Sequence, residues 1–236
     1  MPLPPAATDR TCLVTGASSG IGAEIARELA RRGRNVTIVA RREDRLRTLA
    51  DELVAAHGVR ADVRTADLTD QGSRAALVDA IAADGLGIDV LVNNAGFSTS
   101  GPVASADVDR EISMIRTDVE AVAALCTMVV PQMATRRTGG VLNVASTAAF
   151  QPLPGQAGYG ASKAFVLSYS QALRAELRGR GVTVTVLCPG PVRTEFAEAA
   201  GFTDAEAESA MPSFMWMEPA QVAREALDGL ARGRAV

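Results

Sequence analysis

One histidine and one lysine stand among 236 residues, and each scarcity excludes something. His57 lies at the end of a predicted helix, just before Gly58, where an exposed C-terminal residue is the simplest account. A nucleophilic triad built on histidine is therefore not expected. The three cysteines, Cys12, Cys126 and Cys188, lie in apolar surroundings without paired spacing, so they read as small buried side chains, and no metal site is expected. Apolar runs are short. The longest, residues 121–130, cannot span a bilayer, and the proline-rich residues 1–10 have no apolar signal core. A cytoplasmic protein with no membrane partner is expected. Net charge is -3 with no basic stripe, which argues against a nucleic-acid partner and for a small molecule.

What is present is a chain with nearly half its residues apolar and long enough for one large α/β domain. Short, continuously apolar runs at 11–15, 36–40, 59–66, 88–92, 140–145 and 182–187 read as strands covered on both faces. Helical spacing fills 21–32, 43–56, 71–83, 107–135 and 156–178, and a last helix begins near Glu218-Pro219. This alternation predicts a doubly wound parallel sheet with helices on both faces, one Rossmann-type domain over 1–236. Residues 191–217 break the pattern and are expected to form a helical substrate lid.

The lone lysine, Lys163, stands four residues after Tyr159 in Tyr159-Gly160-Ala161-Ser162-Lys163, so a helix would put both on one face. Every other basic side chain is arginine, which cannot release a proton and carries a planar fork in place of a compact ammonium. A cation about 4 Å from the phenol is worth roughly 4 kcal/mol at an effective dielectric near 20. By itself it lowers the tyrosine pKa and makes Tyr159 a usable general acid or base.

Upstream, strand 11–15 runs into Thr15-Gly16-Ala17-Ser18-Ser19-Gly20-Ile21-Gly22 and then a helix. Gly16 permits the sharp turn, Gly20 a close backbone approach to a pyrophosphate, and Gly22 close packing of helix on sheet. Gly16, Ser18, Ser19, Gly20 and Ile21 are the expected cofactor contacts. The second strand ends in Arg41-Arg42 with no carboxylate at its tip. Arginines at a helix start oppose its dipole, so a 2′-phosphate is the better explanation, and NADP rather than NAD is expected.

In this order of motifs the chain resembles the short-chain dehydrogenase/reductase family: Thr15 to Gly22, Ala66-Asp67-Leu68, Asn93-Asn94-Ala95-Gly96, Ser146, Tyr159 to Lys163, and Pro189-Gly190 followed by Thr194. The resemblance implies that Asp67 and Leu68 receive the adenine and that Asn94, Ala95 and Gly96 pack against its ribose. It implies that Ser146 hydrogen-bonds the substrate oxygen, that Tyr159 exchanges the proton and that Lys163 holds the nicotinamide ribose. Pro189, Gly190, Val192 and Thr194 would orient the carboxamide.

The chain departs from that pattern twice. Asp118 falls where the family usually has an asparagine, so Ser146, Tyr159, Lys163 and Asp118 form an altered tetrad, with a carboxylate expected to offset the lysine's field and shift the pH optimum. The sequence also stops where the family's seventh strand would begin, which leaves a homodimer and a homotetramer both open. Phe97, Phe150, Pro152 and Leu153, with Phe196, Phe202, Met211, Phe214, Met215, Trp216 and Met217, suggest an apolar pocket under a lid. A hydride-transferring enzyme acting on a lipophilic ketone, aldehyde or secondary alcohol is the first reading. A dinucleotide-binding regulatory or scaffold subunit without turnover is the alternative.

Overall fold

The computed structural model describes residues 3–201 and 212–236. Six strands alternate with helices: β1 (Arg10–Thr15), α1 (Gly20–Arg31), β2 (Val36–Ala40), α2 (Glu43–His57), β3 (Ala61–Thr65), α3 (Gln71–Ala83) and β4 (Gly87–Asn93). The second half holds α4 (Val108–Ile115), α5 (Ala121–Arg136), β5 (Gly139–Val144), α6 (Ala157–Glu176), β6 (Val182–Leu187), the short α7 (Phe196–Ala199) and α8 (Pro219–Ala231). All pairings are parallel in the order β3-β2-β1-β4-β5-β6. The order reverses between β1 and β4, and in such a sheet the crevice beyond the strand carboxyl ends at that point receives the ligand.

The inner strands are rich in buried apolar residues because each face meets its own layer of helices, whereas edge strand β3 (Ala61–Thr65) is mostly polar. Alternate residues separate the two sides: Cys12, Val14, Ile38, Val90 and Val92 pack with α1, α2 and α8, whereas Leu13, Val39, Leu91, Val141 and Val184 pack with α3, α5 and α6. Fully burying a side chain of this size contributes about 1.5–3 kcal/mol, so a one-residue slip in a strand would exchange two cores at once. His57 ends α2 and Gly58 caps it in the left-handed conformation (φ 64°), the conformation glycine adopts at no steric cost. Cys12 and Cys126 are buried with thiols pushed up to about 12 by loss of solvation, and all three cysteines are free.

Two element boundaries differ from the sequence-based expectation. The third strand is only Ala61–Thr65, because it lies at the sheet edge with half-covered faces. The long helix expected over 107–135 is not regular: α4 passes into a π-turn at Arg116–Glu120 before α5 resumes. The extra residue in that turn carries Asp118 to a fully buried position. On the other edge, Thr185 Oγ1 donates to the carbonyl of Arg234 (2.7 Å) and Val186 N to that of Ala235 (3.0 Å), so residues 233–235 run along β6. Among the described residues no helix is long and apolar enough to cross a membrane.

Candidate active site

The functional positions gather at the carboxyl ends of β1, β4, β5 and β6. After β1 the chain turns through Gly16 (φ 66°) and Gly20 (φ 57°) into α1. A Cβ on Gly22 would stand 2.3 Å from Asn94 Nδ2 and 2.4 Å from the Gly16 carbonyl oxygen, so the position is sterically reserved for glycine. Asn94 buckles the turn to β4: its side-chain amide donates to the carbonyls of Thr15 (3.0 Å) and Gly16 (3.2 Å). Thr15 answers, its hydroxyl accepting from Asn94 N (3.0 Å) and Ala95 N (3.1 Å) and donating to the Val92 carbonyl. The N-cap Ser19 makes no capping hydrogen bond to α1, so the first-turn N–H groups of that helix are not occupied by it. Such a terminus, with a turn that admits no side chain, suits a pyrophosphate.

Around this turn lie the groups expected to read the adenosine end. Arg41 is exposed and makes no hydrogen bond or ion pair among the described residues, whereas Arg42 reaches over Ser18 and Ser19. Asp67 accepts from Thr69 N (2.9 Å) and Thr69 Oγ1 (2.8 Å), bonds that hold its carboxyl below the usual range. Leu68 is buried, and its carbonyl accepts from the buried Arg74 (2.6 Å). Pro189 accepts at its carbonyl from Thr147 N, which ties the β6 exit to the segment after Ser146. Val192 forms a parallel bridge with Met217, and Thr194 abuts Gly20, whose Cβ would meet Thr194 Cγ2 at 3.1 Å. The glycine turn and the 189–194 segment thus face each other across the crevice.

The groups expected to react lie at the same strand ends. Tyr159 and Lys163 are one turn apart on α6 and buried, with the Lys163 ammonium 5.5 Å from the phenol ring centroid. Lys163 Nζ donates to the Val144 carbonyl (3.2 Å) and forms an ion pair with Asp118 Oδ2 at 2.9 Å. Asp118 Oδ1 accepts from Phe97 N (3.1 Å), and a Cβ on Gly96 would come within 3.0 Å of both carboxylate oxygens. The altered tetrad is a contact. Ser146, after β5, accepts from Ala148 N (3.1 Å), and its hydroxyl lies close enough to favour the ionised Tyr159 phenol.

The charges compete. Burial pushes the Tyr159 phenol up and Asp118 adds to that, while Lys163 and Ser146 pull it down, and the balance is upward. The net direction is therefore opposite to the lysine's own effect. Burial likewise raises Asp118 against the pull of Lys163. For Lys163 burial works downward, but Asp118 and Tyr159 together outweigh it and the ammonium is held above its ordinary range.

Phe97 and Leu153 pack with Met114, Ala148 and Tyr159, and the Phe196 ring stands 5.6 Å from that of Tyr159. Phe150 and Phe214 are exposed, and Arg193 lies over the Trp216 ring. Phe202 and Met211 lie outside the described residues. Sequence reasoning missed a polar core beneath the site. Asn93 Nδ2 donates to Asn143 Oδ1 (2.8 Å), its register partner on β5, and Asn143 Nδ2 donates to Ser170 Oγ (2.9 Å). The signal was Asn143, the one polar side chain in its strand, and Asn93 at the end of β4. Glu195, beside Arg42 and Arg45, was also missed, and no local signal marks it.

A six-stranded 3-2-1-4-5-6 sheet, an anion-suited turn at its switch point and a buried Tyr-Lys pair with a half-buried serine beside it define a dinucleotide-dependent oxidoreductase of the Rossmann class. The short chain dehydrogenase family model matches residues 10–204, and the chain belongs to that family. A putative ketoacyl reductase of Streptomyces coelicolor is 41% identical over 187 residues, 78% of this chain and 71% of the relative. A short-chain dehydrogenase from Sphingobium yanoikuyae in complex with NADPH superposes with a TM-score of 0.88 at 36% identity, covering 96% of this chain and 86% of that one. The bulky-bulky ketone specific alcohol dehydrogenase from Comamonas testosteroni gives a TM-score of 0.83 at 34% identity, covering 96% and 84%.

Proposed function

We propose that the protein is an NADP(H)-dependent reductase of lipophilic ketones or aldehydes, or the corresponding secondary-alcohol dehydrogenase, with Tyr159 as its general acid or base. The observation that carries this reading is the buried set of Tyr159, Lys163 and Asp118, with Ser146 beside it at the end of β5. The dinucleotide fits: the glycine turn, with positive φ at Gly16 and Gly20, leads into α1, whose first-turn N–H groups the Ser19 side chain does not cap, and Arg41 and Arg42 supply guanidinium groups for a 2′-phosphate. The Sphingobium relative holding NADPH supports the choice of cofactor. When bound, NADPH supplies the hydride for the carbonyl carbon.

The chain's own residues manage the oxygen. Tyr159 donates its proton to the carbonyl oxygen as negative charge grows there, and Ser146 directs a hydrogen bond at the same atom. Lys163 keeps positive charge beside the phenolate left behind. In the oxidation direction Tyr159 accepts the alcohol proton instead. Phe97, Leu153 and Phe196 give the reacting end an apolar wall, consistent with a lipophilic substrate; of the lid expected over 191–217, residues 202–211 lie outside the described residues. The ketone named for the Comamonas enzyme points the same way.

The ion pair at Lys163 favours a second reading, a dinucleotide-binding subunit of the same fold with weak or no turnover, since a carboxylate 2.9 Å from the ammonium spends part of its field. One experiment separates them: NADPH consumption followed by absorbance on a panel of hydrophobic carbonyls, with wild type and Tyr159→Phe. Turnover lost in the variant with NADPH affinity retained supports the enzyme. Binding without turnover across the whole panel supports the subunit.

A further inference from the structure

Arg42 joins two parts of the chain that are far apart in sequence. Its Nε and Nη2 donate to Ser18 Oγ at 3.1 and 2.9 Å, and Nη2 also donates to Ser19 Oγ at 2.8 Å. Its Nη1 donates to Glu195 Oε2 at 3.0 Å, while Arg45 Nη1 takes the other oxygen, Oε1, at 2.6 Å. Glu195 directly follows Thr194, so a carboxylate from the segment beyond β6 lies against the turn that precedes α1. Each of its oxygens has a guanidinium donor, and two serine hydroxyls stand beside them. That donor set is the one a phosphate monoester would choose. The two arginines hold the Glu195 carboxyl below its ordinary range, so it stays an anion through the neutral region. Arg41, next in sequence to Arg42, has no such partner among the described residues.

We infer that Glu195 is an internal stand-in for the 2′-phosphate of NADP(H): the cofactor exchanges phosphate for carboxylate at Arg42 and Arg45 and thereby frees the segment after Thr194 from the phosphate turn. The inference rests on the reading that Arg42 receives the 2′-phosphate. NADH has no such group and leaves the clasp in place, so selectivity comes from unlocking as well as from attraction. The pairs are half exposed, and exposed pairs are weak, which suits an occupant that must be displaced. A phosphate brings more charge than one carboxylate to the same two guanidinium groups.

The test is a binding titration of NADP+ and NAD+ against wild type, Glu195→Gln and Arg42→Ala, followed by the fluorescence of the single tryptophan, Trp216. Trp216 precedes Met217, whose N–H bonds the Pro191 carbonyl (3.0 Å) at the start of the clasped segment. With the competitor removed, Glu195→Gln should bind NADP+ roughly two- to tenfold more tightly at low ionic strength, with NAD+ unchanged. The gain should shrink at about 1 M salt, where the Debye length is about 3 Å. Unchanged NADP+ affinity in Glu195→Gln, alongside a selective loss in Arg42→Ala, overturns the stand-in and leaves the phosphate site intact. Equal tightening for both dinucleotides overturns it too, because Glu195 would then be opposing something other than the phosphate. Should Arg42→Ala bind NADP+ as wild type does, the phosphate assignment itself fails and the stand-in falls with it.

Discussion

Replacing Asp118 by asparagine removes one charge from a buried site while keeping its shape and the acceptor for Phe97 N. The 2.9 Å ion pair and the 5.5 Å from ammonium to phenol ring place the carboxylate no more than about 8 Å from the ring, where two unit charges at an effective dielectric near 20 interact by about 2 kcal/mol. Asp118 opposes ionisation of Tyr159, so its loss favours the phenolate. On the acid–base role proposed for Tyr159, alcohol oxidation needs it ionised, and the rising limb of the rate against pH should move to lower pH by roughly one and a half units. On the same proposal carbonyl reduction needs Tyr159 protonated, and the falling limb should move the same way. The assay is kcat/KM against pH in both directions with one alcohol–ketone pair, for wild type and Asp118→Asn. Superimposable profiles would falsify an electrostatic role for the acid. A shift to higher pH would refute the sign: the chief service of Asp118 would then be to keep Lys163 protonated against burial, which otherwise lowers it.

Gly22→Ala forces a Cβ into the Gly16 carbonyl and the Asn94 amide; overpacking of this kind costs about 1–3 kcal/mol, so thermal unfolding should come several degrees earlier and NADPH should bind more weakly. Ser170→Ala leaves Asn143 Nδ2 without its buried acceptor, at a cost of about 1–3 kcal/mol; denaturant titration should register that loss with cofactor selectivity unaltered. Arg41→Ala should weaken NADPH binding and spare NADH; equal effects on both would remove Arg41 from the phosphate site.

The strands were legible because burial on both faces demands apolar runs, and the glycine turn because its backbone admits nothing larger. β3 is shorter than its apolar run because an edge strand with half-covered faces loses pairing at its ends. The break at Arg116–Glu120 could not be read, since one added residue per turn blurs the helical period without leaving a proline or glycine as a mark. Asp118 itself was visible as a substitution, but its pairing with Lys163 is a tertiary contact between α6 and that turn. Glu195 was invisible for the same reason: Arg42 lies 153 residues away along the chain. Asn93 and Asn143 are neighbours only through strand register, which the sequence does not carry.

The π-turn at Arg116–Glu120 also sets helix regularity against reactivity. Deleting a single residue there would let α4 and α5 join as one unbroken helix, which the backbone alone would prefer. The same deletion would rotate Asp118 by about 100° around the axis and carry its carboxylate away from Lys163. Variants chosen only for heat resistance should therefore include some that shorten this turn, and those would be well folded enzymes with the lysine's charge no longer countered.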